Sequence, residues 1–126
     1  MSGPLILVVE DDRDVRDAVI DVLRDAGYGV VWAGDGEQAI QLLRTGVRPA
    51  AILLDLMMPG MDGFQFRTEQ QRDPAVAGIP VILLSATRYV ERDAAALGAA
   101  AMVAKPAATE DLLAAIERVA GPETLS

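Results

Sequence analysis

The sequence predicts an α/β fold, a doubly wound five-stranded parallel sheet with helices on both faces. Three observations predict it. Short apolar runs rich in Val, Ile and Leu alternate with longer amphipathic stretches, and this repeats five times along 126 residues. The run at 50–54 is apolar throughout, as a strand covered on both faces must be. Each helical stretch is followed by a short break, commonly a glycine, before the next apolar run.

Leu5 to Val9 reads as the first strand. Asp14 to Ala26 reads as the first helix, because Val15, Ala18, Val19, Val22, Leu23 and Ala26 recur at helical spacing while Arg16, Asp17, Asp21, Arg24 and Asp25 fall opposite. Asp12 caps it and Gly27 stops it. Val30 to Ala33 is the second strand, and Glu37 to Arg44 the second helix, closed by Gly46. Ala50 to Leu54 is the third and central strand. Phe64 to Arg72 is a less amphipathic helix started by Asp62 and Gly63, followed by a fourth strand at Val81 to Leu84. Tyr89 to Leu97 is an alanine-rich helix ending at Gly98. Ala101 to Ala104 is a weak fifth strand, and Glu110 to Val119 the last helix, striped by Leu112, Leu113, Ile116 and Val119. The whole reads as one domain over 1–126, with its core at about 5–119 and a loose tail at 121–126.

Composition narrows the chemistry. Nineteen acids against eleven bases give a net charge of -8, which repels nucleic acid and anionic lipid. Without histidine there is no Ser-His-Asp triad and no phosphohistidine carried by this chain; without cysteine there is no disulfide frame and no thiolate zinc site. The apolar run at 5–9 is too short to span a membrane and lacks the basic lead of a signal peptide, so the chain reads as cytoplasmic.

In open parallel sheets, ligands bind beyond the carboxyl ends of the strands. The first strand exits into Glu10, Asp11 and Asp12, the third into Asp55, the fourth into Ser85 and the fifth into Lys105. Asp12 reads as a helix cap, Asp62 as the start of the third helix, and Met57, Met58 and Met61 as loop and core packing. Glu10, Asp11 and Asp55 are different. Like charges about 4 Å apart cost on the order of 4 kcal/mol at an effective dielectric near 20, so grouping them predicts a cation. Magnesium suits carboxylate oxygens and shares its shell with phosphate, and the Met57 backbone carbonyl can join it. Ser85 and Lys105 would then donate to phosphate oxygens.

With ILVVEDD at 6–12, LLDLMMPGMDG at 53–63, ILLSA at 82–86 and KP at 105–106, the chain resembles the receiver domain of bacterial two-component response regulators from about Leu5 to Val119. The resemblance implies a flavodoxin-like sheet in the order 2-1-3-4-5, with Asp55 as phosphoacceptor, Glu10 and Asp11 as magnesium-binding acids, Ser85 as switch hydroxyl and Lys105 as phosphate-pairing lysine. It implies a cis Lys105-Pro106 bond, with Ala86, Thr87, Met102 and Pro106 around the site that switches, and Met57 and Thr87 flanking the attack position. Two positions depart from the family pattern: Met102 stands where many members carry an aromatic on the fifth strand, and Ala107 where phenylalanine is frequent.

The function implied is Mg2+-dependent acceptance of a phosphoryl group on Asp55 from a sensor histidine kinase or a histidine phosphotransfer protein, switching a partner-binding surface. Such a domain is a regulatory phosphoacceptor that catalyses its own phosphorylation and dephosphorylation, not an enzyme on outside substrates. Ile20 is expected just off the apolar stripe of the first helix, within the kinase-docking surface. No output domain is expected in this chain; the output partner is unspecified, and a homodimer is compatible with the pattern. Of three rivals, a flavin binder would need a phosphate-cradling loop where EDD stands, and a magnesium phosphohydrolase would want an acid at Met57. A docking module that is never phosphorylated would have no use for the acids, hydroxyl and lysine together.

Overall fold

A computed structural model of the chain describes residues 3–121. The tail expected at 121–126 lies outside the described residues from 122 onward. Five strands and five helices alternate: β1 (Leu5–Val9), α1 (Arg13–Asp25), β2 (Gly29–Ala33), α2 (Gly36–Arg44), β3 (Ala51–Asp55), α3 (Gly63–Arg72), β4 (Val81–Ser85), α4 (Val90–Leu97), β5 (Ala101–Ala104) and α5 (Thr109–Ala120). All pairings are parallel, in the order β2-β1-β3-β4-β5, so the expected topology is what the chain adopts.

The ends of β2, β3 and β4 differ from the sequence reading: β2 starts one residue earlier, at Gly29, and β3 one later, at Ala51. β3 and β4 each run one residue further, because the parallel ladder continues through the register pairs Asp55 with Leu84 and Ser85 with Ala104. The two polar residues are therefore held by sheet hydrogen bonding rather than hanging beyond it. Alternation along the strands makes two apolar layers. Ile6, Val8, Leu53, Ile82 and Leu84 pack under α1 and α5, whereas Leu7, Val9, Ile52, Leu54 and Val81 pack under α2 and α3. α4 seats Ala94 and Leu97 against Leu56 and Leu83.

Local chemistry sets the helix ends. Asp12 caps α1 by accepting from the N–H groups of Asp14 and Val15, and Asp62 with Gln65 forms a capping box on α3. Gly98 closes α4 in the left-handed conformation at φ 69°. Buried Gln70 donates to the carbonyls of Val76 and Ile79, tying α3 to the loop before β4. Arg67 donates to Leu97 O at 2.9 Å and to Gln70 Oε1 at 2.8 Å, which fixes the end of α4.

Ile20 is not on a docking surface. It is buried in the core with Val19 and Leu23, since α1 lies under both the sheet and α5 and its covered arc is turned one residue from the expected stripe. Val15 and Val22 are instead partly buried and Ala18 is exposed. Met58 is buried and Met61 packs against the α2/α3 layer, but Met57 is 74% exposed, so loop packing does not describe it. None of the helices among the described residues is long and apolar enough to cross a membrane.

Candidate functional site

The carboxyl ends of β1, β3, β4 and β5 converge on one acidic pocket. Glu10 follows β1 and Asp55 ends β3, and both are buried; Asp11 is exposed beside them. One carboxylate oxygen of each lies within 4.8 Å of the others, a spacing that can hold a metal ion. At that separation each like-charged pair repels by roughly 3 kcal/mol at an effective dielectric near 20.

Among the described residues, Lys105, just past β5, is the cation paired with these acids. Its Nζ lies 2.8 Å from Glu10 Oε2 and donates a hydrogen bond to Asp55 Oδ1 at 3.2 Å. The Glu10 contact is an ion pair whose alignment falls short of a hydrogen bond. Glu10 Oε1 also accepts the N–H of Asp12 at 3.1 Å. Three carboxylates against one ammonium leave two negative charges uncompensated when all are ionised. A divalent cation would balance them, and an all-oxygen donor set suits magnesium.

The imbalance is visible in proton affinity. Burial first, then the charge of Glu10, push the Asp55 carboxyl up from 3.8 to about 6; Lys105 pulls it back and Asp11 adds to the rise. Burial alone would lower Lys105, yet its close ion-pair contact with Glu10 and the hydrogen bond and charge of Asp55 outweigh that and hold it above its ordinary value. Both directions follow from one ammonium being shared by too many carboxylates.

Ser85 is buried at the end of β4. Its Oγ accepts the N–H of Thr87 at 3.2 Å, and the Thr87 hydroxyl accepts the N–H of Tyr89 at 3.1 Å. Two side chains thus connect the strand end to the residue preceding α4, whose N-terminus has no side-chain cap. The Lys105-Pro106 peptide bond is cis. Met102 is 41% exposed on the outer face of β5, at the register position of Leu83. Next to the pocket runs an apolar groove of about 420 Å³ between α1 and the β5-α5 connection, lined by Val15, Ala18, Val22, Pro106, Ala107 and Leu112 and reaching Ala86 and Lys105.

Two supports escaped the sequence reading. A Cβ at Gly63 would sit 3.0 Å from Leu56 Cα and 3.1 Å from Asp55 O, so any side chain there would push the start of α3 away from the end of β3 by a few tenths of an ångström. The Asp-Gly pair was legible as a helix start, but not the approach to Asp55. Arg16 donates from Nη1 to the Glu10 carbonyl at 3.1 Å; its signal was a base four residues past Asp12 among acids.

A parallel 2-1-3-4-5 sheet with three acids and a lysine at its carboxyl edge defines a class of signalling domain, and comparison with known proteins agrees. The model of the response regulator receiver domain matches residues 6–117, and the chain belongs to that family. It is 40% identical over 111 residues to the response regulator MprA of Mycolicibacterium vanbaalenii, covering 86% of this chain and 47% of that protein. It is 36% identical over 115 residues to the DNA-binding dual master transcriptional regulator RpaA of Synechocystis, covering 90% and 47%. The chain thus spans about half the length of these curated relatives. Among solved structures it resembles chemotaxis protein CheY4 of Vibrio cholerae, with a TM-score of 0.84, 30% identity and coverage of 94% and 99%. A putative response regulator from Chloroflexus aurantiacus gives a TM-score of 0.85, 29% identity and coverage of 94% and 98%.

Proposed function

We propose that this receiver takes a phosphoryl group from the phosphohistidine of a sensor histidine kinase or histidine phosphotransfer protein onto Asp55, in a reaction that depends on Mg2+. The observation that carries this reading is the pocket in which Glu10, Asp11 and Asp55 exceed Lys105 by two charges. Glu10, Asp11, Asp55 and the Met57 carbonyl would hold the magnesium ion, which supplies positive charge to the transferring group. An ionised Asp55 oxygen attacks phosphorus in line; the phosphorus–nitrogen bond breaks, its electron pair leaves with the histidine nitrogen, and an acyl phosphate forms on Asp55. Lys105 donates to a phosphoryl oxygen.

Ser85 carries the switch. Its Oγ spends an acceptor on Thr87 N–H, which leaves the hydroxyl proton to donate to the new phosphoryl oxygen. Turning toward the phosphate breaks the bond to Thr87, and Thr87 in turn holds Tyr89 at the start of α4. Phosphorylation adds roughly -1.5 to -2 charges, enough to bias that loop. Ala86, Pro106 and Met102 frame the movement, with Met102 offering a flexible thioether in place of a ring.

The kinase contact belongs to the groove of Val15, Ala18 and Val22 rather than to Ile20, because the groove shares Lys105 and Ala86 with the pocket. Its occupant is an apolar helix edge of the histidine-bearing partner. A net charge of -8 opposes contact of this chain with DNA, so any output acts through other surfaces.

Incubation with a small acyl phosphate and Mg2+, read by intact mass, tests the reading. One phosphoryl adduct is expected, lost with EDTA and lost in Asp55→Asn. Unchanged mass under every condition leaves an unphosphorylated docking module as the better account.

A further inference from the structure

Glu10 is held at its N–H, its carbonyl and its carboxylate, and one of these constraints comes from outside the pocket. Its N–H donates to Ala33 O at 3.1 Å, and its carbonyl accepts from Arg16 Nη1 at 3.1 Å. The Arg16 guanidinium lies 4.0 Å above the centroid of the Trp32 ring, at the end of β2. Its Nη1 would be 3.6 Å from a Cβ at Gly34, whose N–H is held by Gln38 Oε1 at 2.9 Å. Arg16 Nε is buried without a hydrogen-bond partner. An arginine in the first turns of a helix opposes the helix dipole, and leaving a buried donor unpaired is unfavourable. Both costs are accepted where the guanidinium plane spans from indole to the Glu10 carbonyl, which a lysine ammonium cannot match.

We propose that Arg16 and Trp32 form a clamp that positions the Glu10-Asp11 turn for the divalent ion, making Arg16 a positioning residue and Trp32, the chain's single tryptophan, its optical reporter. This rests on the Mg2+-dependent reading of the pocket. The clamp fixes the turn on the side away from Lys105: with the backbone of Glu10 held at both its N–H and its carbonyl, the carboxylate swings only about its own side-chain torsions. Asp11, the exposed member of the trio, has its place set by the same backbone.

The sign of one measurement separates positioning from simple charge. Arg16 carries positive charge near a site for a cation, so its removal, acting through the field alone, would tighten Mg2+ binding. Positioning predicts the reverse. Mg2+ titration by calorimetry should show Arg16→Ala weakened about tenfold, within the range typical when a partner behind a metal ligand is lost. Trp32→Leu should shift the same way by a smaller factor, and Arg16→Lys, which keeps the charge, should fall between Arg16→Ala and the parent. The Trp32 emission change on adding Mg2+ should be present in the parent and lost in Arg16→Ala. Phosphorylation by a small acyl phosphate should recover at saturating Mg2+, with the loss confined to the Mg2+ concentration needed. Circular dichroism and thermal melts are to establish first that each variant is folded. Unchanged or tighter Mg2+ binding in a folded Arg16→Ala overturns the clamp while leaving Asp55 phosphorylation intact. A parent protein that binds no Mg2+ overturns the reading of the pocket itself, and the clamp with it.

Discussion

Asp55→Asn should stabilise the protein when no metal is present. In the folded chain the Asp55 carboxyl is raised from 3.8 to about 6 by burial and by the charge of Glu10, with Lys105 only partly offsetting them. A folded value above the unfolded one means that the native state holds the proton more tightly, so stability falls as pH rises from about 4 to about 6 and stays low above that. The difference is worth roughly 3 kcal/mol at neutral and alkaline pH. Asparagine removes the charge and keeps an acceptor for Lys105, while its new amide donors cost about 1 kcal/mol if unpaired. The expected net gain is about 2 kcal/mol at pH 8, or close to 8 °C in melting temperature for a domain of this size.

The assay is a pair of thermal melts in EDTA at low ionic strength, one at pH 8 and one near pH 4. At the lower pH the native carboxyl is protonated in the parent, and the two melting curves should nearly coincide. Adding Mg2+ at about a hundred times its dissociation constant should stabilise the parent by about 2.7 kcal/mol and close or reverse the gap. The same ionisation governs chemistry, so the rate of acyl-phosphate uptake at limiting Mg2+ should fall as pH drops below about 6. An Asp55→Asn protein no more stable than the parent at pH 8 in EDTA would refute the electrostatic account of the pocket.

Lys105→Met should act in the opposite direction. It leaves two buried acids without their cation, so the urea midpoint in EDTA should drop by the equivalent of about 3 kcal/mol near neutral pH. Because Lys105 is held above its ordinary 10.5, the stability it gives persists through neutral pH and fades only as pH climbs past that value, which alkaline denaturation of parent and variant would show. Gln70→Leu should cost about 3 kcal/mol in chemical denaturation, since the carbonyls of Val76 and Ile79 lose their buried donor. Ala18→Glu should abolish transfer from a cognate histidine kinase while leaving uptake from a small acyl phosphate unchanged, because the groove is altered and the pocket is not.

The strand order and the pocket were legible because parallel sheets put their chemistry at one edge, and a carboxylate at the end of an apolar run is costly enough to stand out. Glu10, Asp55, Ser85 and Lys105 could each be read as a strand exit without any knowledge of distance. What stayed hidden depends on which way a helix rolls and which side chains fold back. α1 carries apolar residues over a wide arc, and the sequence does not say which flank meets the sheet; Ile20 turned inward, and Val15, Ala18 and Val22 face the groove. Arg16 reads as one more charge on a polar face. Its partner is sixteen residues away, and they meet only because β1 and β2 run in register with Val8 beside Trp32. Met57 counts as an apolar residue, yet lies in solvent because the turn after Leu56 leaves the core at that position.

The pocket is built so that no single protein group can settle its charge. Lys105 sits between Glu10 and Asp55 and cannot neutralise both, while Asp11 faces water with no ammonium within ion-pair distance among the described residues. Packing cannot relieve this, because Asp55 is fixed in a strand register and Glu10 is held through its backbone and Asp12. A second lysine would quiet the repulsion and with it the affinity for any cation. Leaving the acids two charges in excess of Lys105 would make occupancy by a divalent ion the stabilised state, and would give a phosphoryl group added at Asp55 a waiting donor in Lys105. On the proposed reading, stability forgone in the metal-free protein and capacity to respond would be two sides of one charge imbalance, so one neutral substitution at Asp55 should raise the first and remove the second.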